Sequence, residues 1–325
     1  MLSRRKLTVQ KFFDDKRDQL ILTLLAGDKG LDNEITRRIM QRPSLLLAGY
    51  LENFAEKRIQ VLGKTEMDYL SNLSEDALRE SADNLFRWKI PAIIISKGIA
   101  PHPYLVECAE KAGIPLFVSN IPTEEVFSHA GSYLDSFFAP RIGLHGTMVD
   151  VYGVGILYTG SPGIGKSECA LSLVEKGHRL IADDIVNIKR KSGNVLIASG
   201  ELKSGFFLEI RGIGIIDIEK LYGIRAVRIQ KRLEMQVHLE LWDNLRDYER
   251  LGLDETYTTI LGVQIPRITI PVSPGKNIAA ISEVISMNHM LKVYGHHPAK
   301  DFVARMNEVI RRRELTDQYL ESDYE

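Results

Sequence analysis

The sequence predicts an α/β fold in two domains. Three observations carry this expectation. The chain has 325 residues, more than one hydrophobic core usually serves. Short apolar runs alternate with helix-period segments through both halves, the pattern of sheets flanked by helices. The third observation is the stretch Gly160-Ser161-Pro162-Gly163-Ile164-Gly165-Lys166-Ser167. It lies between an apolar run, Gly155 to Tyr158, and a helical one, Glu168 to Lys176. Strand, glycine-rich loop and helix, in that order, is the context a phosphate-binding loop requires. The domain boundary is expected at Phe138-Ala139-Pro140-Arg141, because proline favours an extended residue before it. That gives domains 1–139 and 140–325.

The first half opens with Thr8 as the cap of a helix through Val9, Phe12 and Phe13. Leu20 to Ala26 reads as a strand, and Gly27-Asp28-Lys29-Gly30 as a turn. Residues 65–86 carry one helical pattern, with Met67, Leu70, Leu73, Leu78 and Leu85 inward. Pro91 to Ser96 is a strand, Pro103 to Ala112 a helix, Ile114 to Val118 a strand and Pro122 to Phe138 a helix. This alternation predicts a small sheet of parallel type.

In the second half, Gly177-His178-Arg179-Leu180-Ile181-Ala182 ends the helix after the loop and opens a strand. Asp183 and Asp184 follow at its end, and Ile185 to Ile188 continue the sheet. Adjacent carboxylates on an extended chain point to opposite sides. One can then address a metal or Lys166 while the other handles a proton. Phe206 to Asp217 is an apolar strand pattern interrupted by glycines, with Glu209 as a second candidate metal ligand and Arg211 as an anion or salt-bridge residue. Met235 to Trp242 is a strand, Pro271 to Asn277 a stiff loop with Lys276 at its tip, and Ile278 to Leu291 and Pro298 to Arg313 are helices. The last helix bears an apolar stripe of Phe302, Val303, Met306 and Ile310.

Composition bounds the function classes. Hydrophobic content is 44%, charged content 26% and net charge −1. No global field draws such a chain to nucleic acid or an anionic membrane, so any anion must be met locally. Neither Leu45 to Ala48 nor Ala92 to Ile95 is long enough to span a bilayer, and the start Met1 to Lys6 lacks a signal-peptide core. Two cysteines, Cys108 and Cys169, make no disulfide framework. The expectation is a cytoplasmic protein with no nucleic-acid or membrane partner.

The chemistry centres on the loop. Its glycines let backbone N–H groups turn toward phosphate oxygens, and the helix N-terminus adds partial positive charge. Residues 160–167 would cradle a nucleotide, Lys166 reaching the terminal phosphates and Ser167 a Mg²⁺ ion. From residue chemistry alone, His145 is equally a structural or an active-site histidine, and Arg250 is a surface arginine.

These residues together resemble the HPr kinase/phosphorylase family. The resemblance rests on His145-Gly146, the loop, Gly177-His178-Arg179-Leu180, Asp183-Asp184, Leu208 to Asp217, Tyr248-Glu249-Arg250-Leu251-Gly252 and Pro271 to Asn277. It covers residues 140–310 most strongly. It implies a C-terminal P-loop kinase domain with a mixed sheet, and a bifunctional enzyme of carbon-metabolism regulation. That enzyme moves phosphate from ATP or pyrophosphate to a serine of the phosphocarrier protein HPr, and removes it with phosphate to give pyrophosphate. The resemblance also implies that Lys166 holds phosphate and that Ser167 and Glu209 hold Mg²⁺. Asp184 becomes base and acid in the two directions, Asp183 orients Lys166, His145 or a metal-bound water, and His145 and Arg250 join the active site. A hexamer is implied as well. Two departures bear on the balance of the two activities: Lys276 stands where the family usually has arginine, and Ser161-Pro162-Gly163 where it usually has Glu-Ser-Gly. The alternatives are a P-loop small-molecule kinase or nucleotidase, and a non-catalytic nucleotide-binding regulator.

Overall fold

The computed structural model describes residues 6–201, 205–243 and 255–322. The chain divides into two compact units, 1–139 and 140–325. Both combine helices with mixed sheets, so the fold class is α/β. No helix among the described residues is long and apolar enough to cross a membrane.

In the first unit a four-stranded sheet runs Leu22–Ala26, Leu116–Ser119, Ile93–Ile95, Gln60–Leu62. The last three strands are parallel, while Leu22–Ala26 is antiparallel to its neighbour. The sheet is therefore mixed where the alternation of elements suggested a parallel one. Side chains alternate across it, as strand geometry requires. Ile94 and Phe117 join Phe12, Val126 and Leu134 on one face. Ile93 and Ile95 join Leu70, Leu85 and Leu105 on the other. Thr8 does cap the first helix, accepting from the Lys11 N–H at 3.2 Å. That helix runs Val9–Leu20 and ends on Ile21 at φ 48°, so the strand begins at Leu22.

The helical pattern over 65–86 is two helices, Lys64–Ser71 and Glu75–Phe86. Ser74 starts the second, its hydroxyl accepting from the Ala77 N–H at 3.4 Å. Glu66 is a buried carboxylate in the first of them. It accepts from Arg42 at 2.7 Å, Ser44 at 2.5 Å and the Gly63 N–H at 2.8 Å. Burial pushes this carboxyl up, and the three donors together outweigh it and hold it below the ordinary value.

The second unit is built on a six-stranded sheet ordered Arg179–Ala182, Thr147–Val151, Val154–Gly160, Met235–Leu241, Val263–Val272, Thr256–Ile260. The strands Val154–Gly160, Met235–Leu241 and Val263–Val272 are mutually parallel and central. Helices Lys166–Glu175 and Ile278–Val293 pack on this sheet through Ala170, Leu173, Ala279 and Ile285. Glu283 ties the two helical regions together, accepting from Lys176 and bonded to His178 at 3.1 Å. A second sheet runs Gln230–Arg232, Val195–Ser199, Ile185–Lys191, Arg141–His145. The final helix, Pro298–Ser322, is longer than its pattern suggested, and its apolar stripe is exposed at Phe302, Met306 and Ile310.

Candidate functional site

The glycine-rich loop joins the strand Val154–Gly160 to the helix Lys166–Glu175 at the carboxyl end of the parallel strands. That edge is where open α/β sheets place their ligands. Gly160 and Gly165 take φ of 146° and 103°, values open to glycine and strained for other residues. A Cβ on Gly160 would fall 2.4 Å from the Leu239 carbonyl oxygen, so the loop's first residue has no room for a side chain. Below the loop Ile164 is buried with Cys169, Ala170 and Leu173, which anchors the helix start. Burial pushes the Cys169 thiol up to about 12, so this cysteine is a packing residue and not a nucleophile.

Lys166 turns its ammonium back over the loop, donating to the carbonyls of Gly160 at 3.2 Å and Ser161 at 3.1 Å. Ser167 donates to Asp183 Oδ2 at 2.8 Å. Thr147, on the neighbouring strand Thr147–Val151, donates to Asp183 Oδ1 at 2.5 Å. Asp183 is thereby fixed at both oxygens beside the loop's serine.

Asp184 diverges from it. It stands at φ 64°, and its Oδ1 meets His145 Nδ1 at 3.4 Å. Both side chains are open to solvent, at 83% and 84% exposure. Asp183 and Asp184 do not sit within a continuous strand. They form the two-residue passage from Arg179–Ala182 in the first sheet to Ile185–Lys191 in the second. The Gly146 N–H donates to the Asp184 carbonyl at 3.0 Å and closes the passage against His145. Beside the expected partners of Asp183, namely Lys166, His145 or a metal-bound water, the structure shows hydrogen bonds to Ser167 and Thr147.

Glu209 lies in a hairpin, Phe207–Ile210 with Gly214–Asp217, where a single interrupted strand was expected. Gly212 and Gly214 turn it at φ 84° and 99°. Leu208 and Ile210 pack with Ile164 and Cys169 under the loop, so Glu209 takes the opposite, exposed face. It forms no hydrogen bond or ion pair among the described residues. Arg211, at the hairpin turn, lies against the loop: a Cβ on Gly163 would fall 2.5 Å from its Nη2. Thr147 and Arg211 are thus drawn to the site by the fold. Thr147 had no signal beyond lying two residues after His145. Arg250 lies outside the described residues. Lys276 donates to the Pro271 carbonyl at 2.7 Å, within its own loop.

Among the described residues no three His, Cys, Asp or Glu side chains form a metal-holding group. The Ser167 hydroxyl and the Asp183 carboxylate do make an adjacent oxygen pair at the loop, the donor chemistry Mg²⁺ takes when phosphate supplies further oxygens.

The model for the HPr Serine kinase C-terminal domain matches residues 136–306, and that for the HPr Serine kinase N terminus matches residues 7–134. The chain is 43% identical over 301 residues to the HPr kinase/phosphorylase of Halalkalibacterium halodurans, covering 93% of this chain and 97% of that protein. It is 42% identical over 332 residues to the HPr kinase/phosphorylase of Prosthecochloris aestuarii, covering 100% and 98%. A solved structure of the HPr(Ser) kinase/phosphatase from Coxiella burnetii aligns at 34% identity and a TM-score of 0.44, over 50% of this chain and 98% of that one. With both family domains matched in order and the curated relatives aligned nearly end to end, the chain belongs to the HPr kinase/phosphorylase family.

Proposed function

We propose that this chain is a bifunctional kinase/phosphorylase acting on a serine of HPr. The observation that carries the reading is the divergence of the two aspartates beside the loop. Asp183 is bound to the loop's serine, while Asp184 is exposed and paired with His145. A protein serine brought to the loop meets the second carboxylate, and the first stays with the phosphate side.

In this reading residues 1–139 and 140–325 are separate domains, the second a P-loop kinase domain. Residues 160–167 hold the phosphates of ATP or pyrophosphate through backbone N–H groups, and Lys166 swings from its loop carbonyls onto the terminal phosphate. Ser167 and Glu209 hold Mg²⁺, with Asp183 orienting the Ser167 hydroxyl. When bound, the ion neutralises charge on the phosphate oxygens. Arg211 adds positive charge from the hairpin side. Asp184 takes the serine proton in the kinase direction and returns it to the departing oxygen in the reverse one, with His145 beside it. Arg250 completes the active site.

The protein works in the cytoplasm as a homo-oligomer, a hexamer, with no nucleic-acid or membrane partner. The net charge of −1 and the exposed apolar side chains of the last helix support this. Light scattering giving a mass near 36.7 kDa would refute the assembly.

The deciding experiment incubates the protein with purified HPr and either ATP or pyrophosphate, then treats phosphorylated HPr with inorganic phosphate. Phosphoserine forming in the first step and pyrophosphate in the second are expected. Phosphate passing to water or small alcohols, with none reaching HPr, would overturn the assignment.

A further inference from the structure

The first unit carries a cavity that no part of the chemistry above uses. It measures about 420 Å³, within the range of small-ligand pockets. Arg37, Arg38, Lys57 and Arg58 line it, against one carboxylate, Glu56. Such a concentration of cations stands out in a chain whose net charge is −1. Like charges at close range repel, and folding gathers them only where something offsets the cost.

Little among the described residues offsets it. Arg37 and Lys57 form no hydrogen bond or ion pair among the described residues. Arg38 reaches the exposed Asp135 at 4.0 Å, too long to be a strong pair. Arg58 donates one N–H to Gln41 Oε1 at 3.3 Å, which leaves most of its donor fork unused.

The walls are fixed by backbone bonds. Gln41 lies alongside the strand Gln60–Leu62, its N–H donating to the Ile59 carbonyl at 3.0 Å and its own carbonyl accepting from the Val61 N–H at 2.8 Å. The buried Gln60 amide donates to the Ala55 and Arg58 carbonyls at 3.2 and 3.0 Å, which sets the segment bearing Lys57 and Arg58. Phe54 and Ile39 add apolar lining, and Phe54 lies against Trp88 with ring centroids 5.6 Å apart.

We propose that this pocket binds a compact phosphate-bearing anion. Arginine forks match phosphoryl oxygens bidentately, and four cations around one small cavity suit a multivalent anion. The apolar side at Phe54 and Ile39 accepts a carbon body on the same ligand. Pyrophosphate and a phosphorylated sugar share the chemistry this requires. The site does not depend on the role given to residues 140–325.

Trp88 is the natural reporter, since Trp242 is the other tryptophan of the chain. The test uses the full chain carrying Trp242→Phe and Lys166→Ala, which weakens anion binding at the glycine-rich loop. Pyrophosphate and glucose 6-phosphate are titrated separately, by Trp88 emission and by equilibrium dialysis of the labelled compound. The expected result is saturable binding of at least one of the two, near one per chain, that shifts Trp88 emission. Adding Arg37→Gln and Lys57→Gln should weaken it tenfold or more while the unfolding curve stays in place, since both side chains are exposed. Dialysis showing no saturable binding of either compound would overturn the proposal. So would binding that the Arg37→Gln/Lys57→Gln pair leaves unchanged, or uptake only of a long acidic polymer.

Discussion

Replacing Asp184 by asparagine tests the division of labour between the two aspartates most directly. The side chain is 83% exposed, and among the described residues its polar partner is His145 at 3.4 Å. An exposed contact of that length contributes at most ~0.5 kcal/mol to stability. Asp183 differs: it accepts from Thr147 at 2.5 Å and from Ser167 at 2.8 Å. Asparagine keeps one carbonyl acceptor and loses the charge on both bonds, a cost of about 1–2 kcal/mol. For a unit of this size that is a fall of about 3–6 °C in melting temperature, against a degree or so for Asp184→Asn. Turnover should order the pair differently. On the proposed mechanism, Asp184→Asn removes the proton carrier and should cost on the order of 10²-fold or more in both directions, with Mg²⁺-ATP affinity unchanged. Asp183→Asn should raise the Mg²⁺ concentration needed for activity. The assays are single-turnover transfer to HPr and from phosphorylated HPr, nucleotide titration and thermal unfolding. If Asp184→Asn lost nucleotide affinity in step with rate, or kept full phosphorylase activity without kinase activity, the single shared proton carrier would be wrong.

Other expectations follow from the same geometry. Lys166→Ala should abolish most turnover in both directions, and near wild-type rates would remove the loop from the chemistry. Glu209→Gln should raise the Mg²⁺ requirement, measured as activity against Mg²⁺ concentration. An unchanged curve would take Glu209 away from the ion. The Glu283 carboxyl is held down to about 2 by hydrogen bonds from Lys176 and His178, against an ordinary 4.5. A depressed carboxyl adds stability that is complete above its unfolded pKa and drains as pH falls toward its folded one. Glu283→Gln should therefore cost about 1–2 kcal/mol at neutral pH, after allowance for solvent screening, and little near pH 2. Urea titrations at both pH values measure this, and a pH-independent loss would refute it.

Local signals in the sequence were legible where several agreed. The helix Pro103–Ala112 has proline at its first position, a His102 nitrogen accepting from the Tyr104 N–H, and Gly113 in the left-handed conformation at its end. Each fixes a boundary by itself. Leu73 misled the reading of 65–86, because its spacing extends one helical stripe across a break that Ser74 then caps. Pairing was not legible. Periodicity shows that Arg179–Ala182 and Ile185–Lys191 are strands, but not that they belong to different sheets. That choice depends on partners far along the chain, Thr147–Val151 for one and Arg141–His145 for the other. The same long-range pairing brings Thr147 to Asp183. The exposed stripe of the last helix has the periodicity of a buried face, and amphipathic spacing alone does not tell an inner core from a surface left open.

The passage between the two sheets sets how this site can change. Elsewhere the chain has slack: the hairpin turn at 192–194 joins neighbouring strands at the surface and can accept an extra residue at small cost. At 183–184 the passage is two residues long. Ala182 is committed to one register and Ile185 to another, and only two residues span the gap. One inserted residue would turn the inward carboxylate out, or strip the outward one of its place beside His145. Separate strands could drift independently over time, but here the spacing of the two carboxylates is inherited from the docking of whole sheets. Single exposed side chains at the loop tip, Ser161 and Pro162, can change without moving the pair.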